Sequence, residues 1–203
     1  MEEITNNTIK MLIELNFIQE ISNLLNSNSS TKKDTSILIF VALSNCKEFL
    51  NLLSNKNFIQ SMLQHIDNMK QIHYVNYKEH IIATLSILRS IYIKDLSLRR
   101  MFIELNGGYL LKDFIYCGDL DIIQETIYNL EDLVCYEGGE NNDQAVSFGS
   151  IEIEEMIYEL KGINIEEALL TLDKKLNEKG INFENDNTLR EEVKRMILIF
   201  SEK

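Results

Sequence analysis

The stretch from Arg99 to Leu133 reads RRMFIELNGGYLLKDFIYCGDLDIIQETIYNLEDL. Its apolar residues recur at the three- and four-residue spacing of a helix that buries one face. Around the start of this stretch, Leu98, Met101, Phe102 and Leu105 follow this spacing. Two polar breaks, at Gly107-Gly108 and Gly118-Asp119, interrupt the pattern. The stretch therefore predicts a short helix, a sharp turn, a second helix, a loop and a longer third helix.

The sharp turn has a chemical signature. A helix that ends in a left-handed residue favours glycine or asparagine, which tolerate a positive φ. Gly107-Gly108 meets this need, and Asn16 and Asn57 stand at the corresponding places earlier in the chain. We expect a similar turn at each of these positions.

The same pattern recurs along the chain. An aromatic residue near the start of the second helix recurs after 41 and then 51 positions, at Phe17, Phe58 and Tyr109. A leucine near the end of the third helix recurs after 42 and then 45 positions, at Leu43, Leu85 and Leu130. Two independent landmarks at similar intervals indicate a protein built of repeats of roughly 42 residues.

The stretch from Arg99 to Leu133 resembles an armadillo repeat, with its glycine pair, leucine-rich second helix and third helix ending in Asn129-Leu130. The resemblance implies an all-α fold, a right-handed α-solenoid of about four three-helix repeats in one domain, residues 1–203. The approximate repeats are residues 5–46, 47–94, 95–136 and 150–203, with a flexible acidic loop at 137–149.

In such a solenoid the third helices line a concave surface that holds partners. The candidate binding residues on these helices are Asn45, His80, Glu125, Tyr128 and Asp132. Their expected exposed neighbours are Val41, Glu48, Ala83, Ile87, Arg190, Lys194 and Ile197. The resemblance thus implies a protein–protein interaction scaffold that binds a partner protein or peptide.

Relatives of this kind include the importin-alpha adaptors, which clamp a basic peptide between tryptophans and asparagines. Here Asn45 matches the asparagine, Val41 stands in place of the tryptophan, and the chain has no tryptophan. If this chain is an importin-like adaptor, it therefore lacks an intact array of peptide-clamping tryptophans and asparagines. Tyr128, Asp132 and Glu125 still suit a lysine-rich peptide through cation–π contact and ion pairing. A co-chaperone that exchanges nucleotide on a cytosolic heat-shock chaperone is a second alternative.

The formal charge of −12 disfavours nucleic acid and anionic membranes as partners, and favours a basic protein surface. Between residues 131 and 167 we count eleven carboxylates against one lysine, Lys161. Glu152, Glu155 and Glu159 recur at helical spacing and predict a carboxylate stripe. This segment is the alternative binding surface, and a merely solvated helix face is the simpler interpretation.

Residues suited to catalysis are few. Two of the three histidines, His73 and His80, flank a loop with Glu79 beside it, and together they form a weak candidate for a metal site. The adjacent carboxylates of Glu154 and Glu155 are better explained as solvated surface charge than as an acid–base pair. No zinc-protease, nucleophile-elbow or phosphate-loop motif occurs. We expect no enzyme activity, cofactor or metal, with a hydrolase or transferase on a helical scaffold as the alternative.

Compartment and assembly follow from simpler features. Cys46, Cys117 and Cys135 lie in apolar runs and are expected to be buried thiols of a reducing compartment. The longest apolar run, Ser36 to Ser44, is too short to span a membrane, and the acidic start has no apolar signal core. We expect a cytoplasmic monomer, with the nucleus as the alternative location.

Overall fold

A computed structural model describes residues 11, 15–71, 77–93, 95–135, 151–178 and 186–201. Within these ranges the regular structure consists of eleven helices without a strand, which confirms the predicted all-α class. The predicted loop at 137–149 lies outside the described residues. In the part of the chain that the structure describes, no helix is both long enough and apolar enough to cross a membrane.

The chain divides between Leu98 and Arg99 into two compact units. The first unit contains α1 (Phe17–Leu25), α2 (Ser30–Ser44), α3 (Lys47–Leu53), α4 (Lys56–Gln71) and α5 (Tyr77–Tyr92). The helix α6 (Leu96–Glu104) crosses the boundary. The second unit continues with α7 (Gly107–Ile115), α8 (Leu120–Val134), α9 (Ile151–Gly162), α10 (Ile165–Glu178) and α11 (Asp186–Ser201).

The core of the first unit forms around α2, which packs against α1, α3 and α5, while α4 packs against α1 and α5. The rings of Phe40 and Phe58 meet edge to face, with centroids 4.9 Å apart and planes at 75°. Both side chains are buried. Burial of each stabilises the fold by roughly 1.5–3 kcal/mol relative to exposure, and the edge-to-face contact adds a smaller amount.

In the second unit, α8 packs against α7, α9 and α11, and α10 packs against the same three helices. The apolar faces predicted from periodicity provide this core. Its fully buried members include Phe102, Leu111, Ile127, Leu130, Leu133, Ile153, Leu169, Val193 and Phe200. Packing against α7, α9 and α11 positions α8 within the second unit.

Asparagine takes the left-handed conformation at the turns before α1, α7 and α10, whereas Gly118, with a φ of 82°, takes it in the loop before α8. Asn16, Asn106 and Asn164 have φ values of 49°, 68° and 63°, and each directly precedes a helix. The turn expected at Asn16 is therefore present. Asn57 lies inside α4 instead, because Asn55 stands before this helix and its side chain accepts a hydrogen bond from the Phe58 amide at 3.0 Å.

Gly107 and Gly108 have a different role from the one expected. Both are buried at the start of α7 and neither has a positive φ. A β-carbon at Gly107 would overlap the ring of Phe102. A β-carbon at Gly108 would lie 2.9 Å from the Leu160 side chain. The glycine pair thus allows close packing of neighbouring helices, while Asn106 makes the turn.

The landmark aromatics and the cysteines occupy varied environments. Phe58 is buried and Phe17 half-buried, whereas Tyr109 is 56 % exposed. The expectation of three buried thiols is wrong for Cys117, which is exposed because it lies in the turn after α7, and Cys46 is only half-buried. Cys135 is buried as expected, and burial raises its pKa.

Candidate functional site

The predicted residues of the third repeat lie together on α8. Glu125, Tyr128 and Asp132 are all half-buried and stand at three- and four-residue intervals, so they share one side of the helix. The helix begins at a side-chain cap, in which Asp119 accepts hydrogen bonds from the amides of Asp121 and Ile122 at 3.0 and 3.2 Å. We call Glu125, Tyr128 and Asp132 the α8 face.

Local hydrogen bonds hold two members of the α8 face. The hydroxyl of Tyr128 accepts from Gln124 Nε2 at 2.8 Å. Buried Asn129 donates through Nδ2 to the carbonyl of Glu125 at 2.8 Å and to its carboxylate at 3.3 Å. One side of α8 thus carries an aromatic ring and two carboxylates, groups that attract a cation.

The other two predicted residues lie in the first unit. Asn45 is exposed at the end of α2, where its Nδ2 donates to the Val41 carbonyl at 3.0 Å. His80 on α5 is only 5 % exposed, and Ile87 is also buried. The expectation that His80 and Ile87 face solvent is therefore wrong. Their side of α5 is covered, because α5 packs against α2, α3 and α4.

His80 belongs instead to a buried polar cluster. Its Nε2 lies 2.6 Å from Asp34 Oδ1 on α2, and its Nδ1 lies 3.5 Å from His65 Nε2 on α4. Lys33, next to Asp34, is also buried. Sequence reasoning missed this cluster because its members are 15 and 46 residues apart, and helical periodicity carries no information about such pairs.

Burial is the main reason why the pKa of His65 falls to about 4, and the nearby charges of His80 and Lys33 lower it further. A hydrogen bond from the His65 ring to the backbone of Leu25 acts in the opposite direction and raises the pKa. His65 is therefore neutral in the folded protein near pH 7. The cluster joins α2, α4 and α5, and both of its histidines are buried, which suits a structural role.

The stripe of Glu152, Glu155 and Glu159 predicted on α9 is present, and all three residues are exposed. Between them stands Tyr158, which sequence reasoning did not single out and which is 78 % exposed. A signal was available. The buried residues of α9 follow the helical spacing, and they are Ile153, Met156, Ile157 and Leu160. Tyr158 does not fit this spacing.

Two shallow clefts border Tyr158. One, of about 340 Å³, is lined by Arg100, Ile151, Glu154, Glu155, Tyr158 and Glu159. The other, of about 400 Å³, is lined by Glu154, Ile157, Tyr158 and Lys161. Tyr158 and Glu154 line both clefts. We call Ile151, Glu154, Glu155, Tyr158 and Glu159 the α9 surface.

The chain's own Arg100 lies at this surface. Its Nη1 donates to Glu155 Oε2 at 2.8 Å, and its Nε lies 3.5 Å from Glu104. The hydrogen bond to Glu155 is the main cause that raises the pKa of Arg100, and the charges of Glu155, Glu159 and Glu104 add to it. One carboxylate of the α9 surface, that of Glu155, thus already accepts a guanidinium group.

A third cleft, of about 510 Å³, lies in the first unit among α1, α3 and α4. It is lined by Asn16, Phe17, Ile18, Gln19, Ser22, Leu52, Asn55, Asn57, Phe58 and Ser61. None of these side chains carries charge. The cleft is larger than those on α9, but it holds no residue suited to acid–base chemistry or to binding an ion.

The metal-site candidate cannot be assembled from the described residues. His73 lies outside them, and His80 is committed to Asp34. Across the described ranges, no group of three or more histidine, cysteine or acidic side chains is placed to hold a metal ion.

No protein-family model matches the sequence, and no curated protein matches it either. The function is therefore argued from the chain's own residues.

Proposed function

We propose that this chain is a non-catalytic protein-interaction module that binds a partner protein, or a basic peptide within it, through the α8 face. The observation that supports the proposal is that Glu125, Tyr128 and Asp132 are half-buried and stand at three- and four-residue intervals along one side of α8. A lysine or arginine of the partner would stack on the ring and pair with a carboxylate. The acidic balance of the chain favours the approach of such a partner.

The proposal includes a repeat architecture. The two short helices α6 and α7 are followed by the longer α8, and these three helices coincide with the stretch that resembles an armadillo repeat. We propose that the chain is a right-handed α-solenoid of about four such repeats, in which the α8 face belongs to a concave surface. Asn45, at the end of α2, would occupy the corresponding place in the first repeat.

Site-specific cross-linking tests this function. A photoreactive benzoylphenylalanine replaces Tyr128 in one protein and Tyr109 in another, since Tyr109 is an exposed tyrosine on α7 of the same unit. In lysate, we expect a discrete cross-linked partner from position 128 and none from position 109. Asp132→Lys should abolish this cross-link by reversing the charge beside the ring.

Other outcomes are equally informative. Equal cross-linking from both positions would show that the α8 face has no special role. If the partner is a cytosolic heat-shock chaperone and the chain accelerates its nucleotide release, the co-chaperone alternative replaces the peptide-binding role.

A further inference from the structure

We propose that the α9 surface is a second docking surface, which takes an arginine-containing basic segment of a partner protein. The inference rests on the proposed protein-binding function, because the occupant is part of a partner protein. It differs from that function in location and in the side chain recognised. The juxtaposition that carries it is an exposed tyrosine between two clefts, surrounded by carboxylates.

The apolar part of this docking surface consists of Tyr158 and Ile151. They are 78 % and 72 % exposed and stand seven positions apart on α9, which places them two turns apart on one side. Because Tyr158 lines both clefts, its ring is accessible to a group in either of them. An aromatic ring in this position offers a stacking surface to a planar cation.

The charge of α9 selects the occupant. The helix carries four glutamates against one lysine, a formal balance of −3. Three of these carboxylates, those of Glu154, Glu155 and Glu159, line the same cleft as Tyr158. These three carboxylates outnumber Arg100, the one cationic residue among the described residues that line this cleft, so the cleft attracts a basic peptide and repels an acidic one.

Arg100 shows which cation this cleft accommodates. Its guanidinium donates to Glu155 at 2.8 Å beside the Tyr158 cleft. Arginine pairs with carboxylates through a planar fork and stacks on aromatic rings, whereas lysine offers a compact ammonium. We therefore infer an arginine, not a lysine, as the recognised side chain. Arg100 then competes with the partner's arginine for Glu155.

The test uses the full 203-residue chain and two fluorescein-labelled ten-residue peptides, one alternating arginine with glycine and one alternating lysine with glycine. Binding is measured by fluorescence anisotropy at about 0.1 M salt, where long-range attraction is screened. We expect the arginine peptide to bind about fivefold more tightly than the lysine peptide. Tyr158→Ala should weaken it about two- to fivefold, the size of an exposed cation–π contact, and Tyr109→Ala should not.

A gain-of-binding variant separates this proposal from general destabilisation. Arg100 is about half exposed, so Arg100→Gln should fold normally and release Glu155. We expect the arginine peptide to bind this variant about two- to threefold more tightly, the size of an exposed ion pair. Weaker or unchanged binding would contradict the role assigned to Arg100 and the cleft.

Amide chemical shifts locate the peptide. Shifts clustered within residues 151–161 support the inference. Absence of binding, equal affinity for both peptides, or equal effects of the two alanine variants would overturn it. Shifts clustered within residues 125–132 would also overturn it and would leave the proposed α8 function standing. Loss of cross-linking at position 128 with peptide shifts on α9 would overturn the α8 location alone.

Discussion

His80 Nε2 on α5 lies 2.6 Å from Asp34 Oδ1 on α2, although the two residues are 46 positions apart in sequence. His80 is buried, whereas the Asp34 side chain is about one-third exposed. The contact ties α5 to α2 in the core of the first unit. It also gives His80 a structural role at a position where the sequence predicted a binding residue.

Removing the carboxylate should destabilise the first unit. In Asp34→Ala, the buried Nε2 of His80 loses its partner, and we expect a loss of about 1–2 kcal/mol in the free energy of unfolding. Urea denaturation followed by circular dichroism measures it. Asp67→Ala is the matched control, because Asp67 is exposed on α4, and its effect should stay within about 0.5 kcal/mol. Equal losses would show that the Asp34–His80 contact adds nothing.

Stability should fall in mild acid because of His65. Its pKa is lowered from 6.5 to about 4 in the folded protein, so the unfolded state binds a proton first as pH falls. The resulting destabilisation begins near pH 6.5 and continues to about pH 4. At pH 5 it amounts to about 2 kcal/mol relative to pH 7.

The control for this prediction is His65→Gln, which cannot titrate. Urea denaturation at pH 7 and pH 5 should show a smaller loss of stability in the variant than in the natural chain. The difference between the two losses isolates His65 from the many carboxylates, which titrate in both proteins. Parallel pH profiles would contradict the assignment of a buried, neutral His65.

Much of the fold could be predicted because helical periodicity is a local property. The helices of the stretch from Arg99 to Leu133 and the exposed stripe on α9 follow directly from residue spacing. The glycine pair was misread for a physical reason. Glycine suits both a positive φ and a close packing contact, and only the Phe102 ring, which would overlap a β-carbon at Gly107, shows that packing is the reason here.

The candidate sites could be predicted only in part. Spacing placed Glu125, Tyr128 and Asp132 on one side of α8, since this relation depends on a single helix. Residue spacing did not predict the burial of His80, because the exposure of a side chain on α5 depends on which helices pack against α5. Arg100 and Glu155 meet across 55 positions, and no local pattern reports such a contact.

The N-cap of α8 should contribute measurably to stability. Asp119 accepts hydrogen bonds from the amides of Asp121 and Ile122, so Asp119→Ala should cost about 1 kcal/mol. Asp119→Asn retains an accepting oxygen and should recover most of the loss. Thermal or urea denaturation measures both variants. Equal losses in the two would indicate that the negative charge, not the cap, stabilises this helix end.

Two glycines should respond in opposite directions to alanine. In Gly107→Ala the new methyl group would overlap the buried ring of Phe102, and we expect a loss of about 1–3 kcal/mol. Gly162, the last residue of α9, has open space around its β-carbon position and no positive φ. Gly162→Ala should therefore stabilise the protein by about 0.5 kcal/mol, because alanine loses less backbone entropy. Urea denaturation of both variants decides the matter: a neutral Gly107→Ala would show that α6 and α7 do not pack as closely as the Phe102 contact indicates.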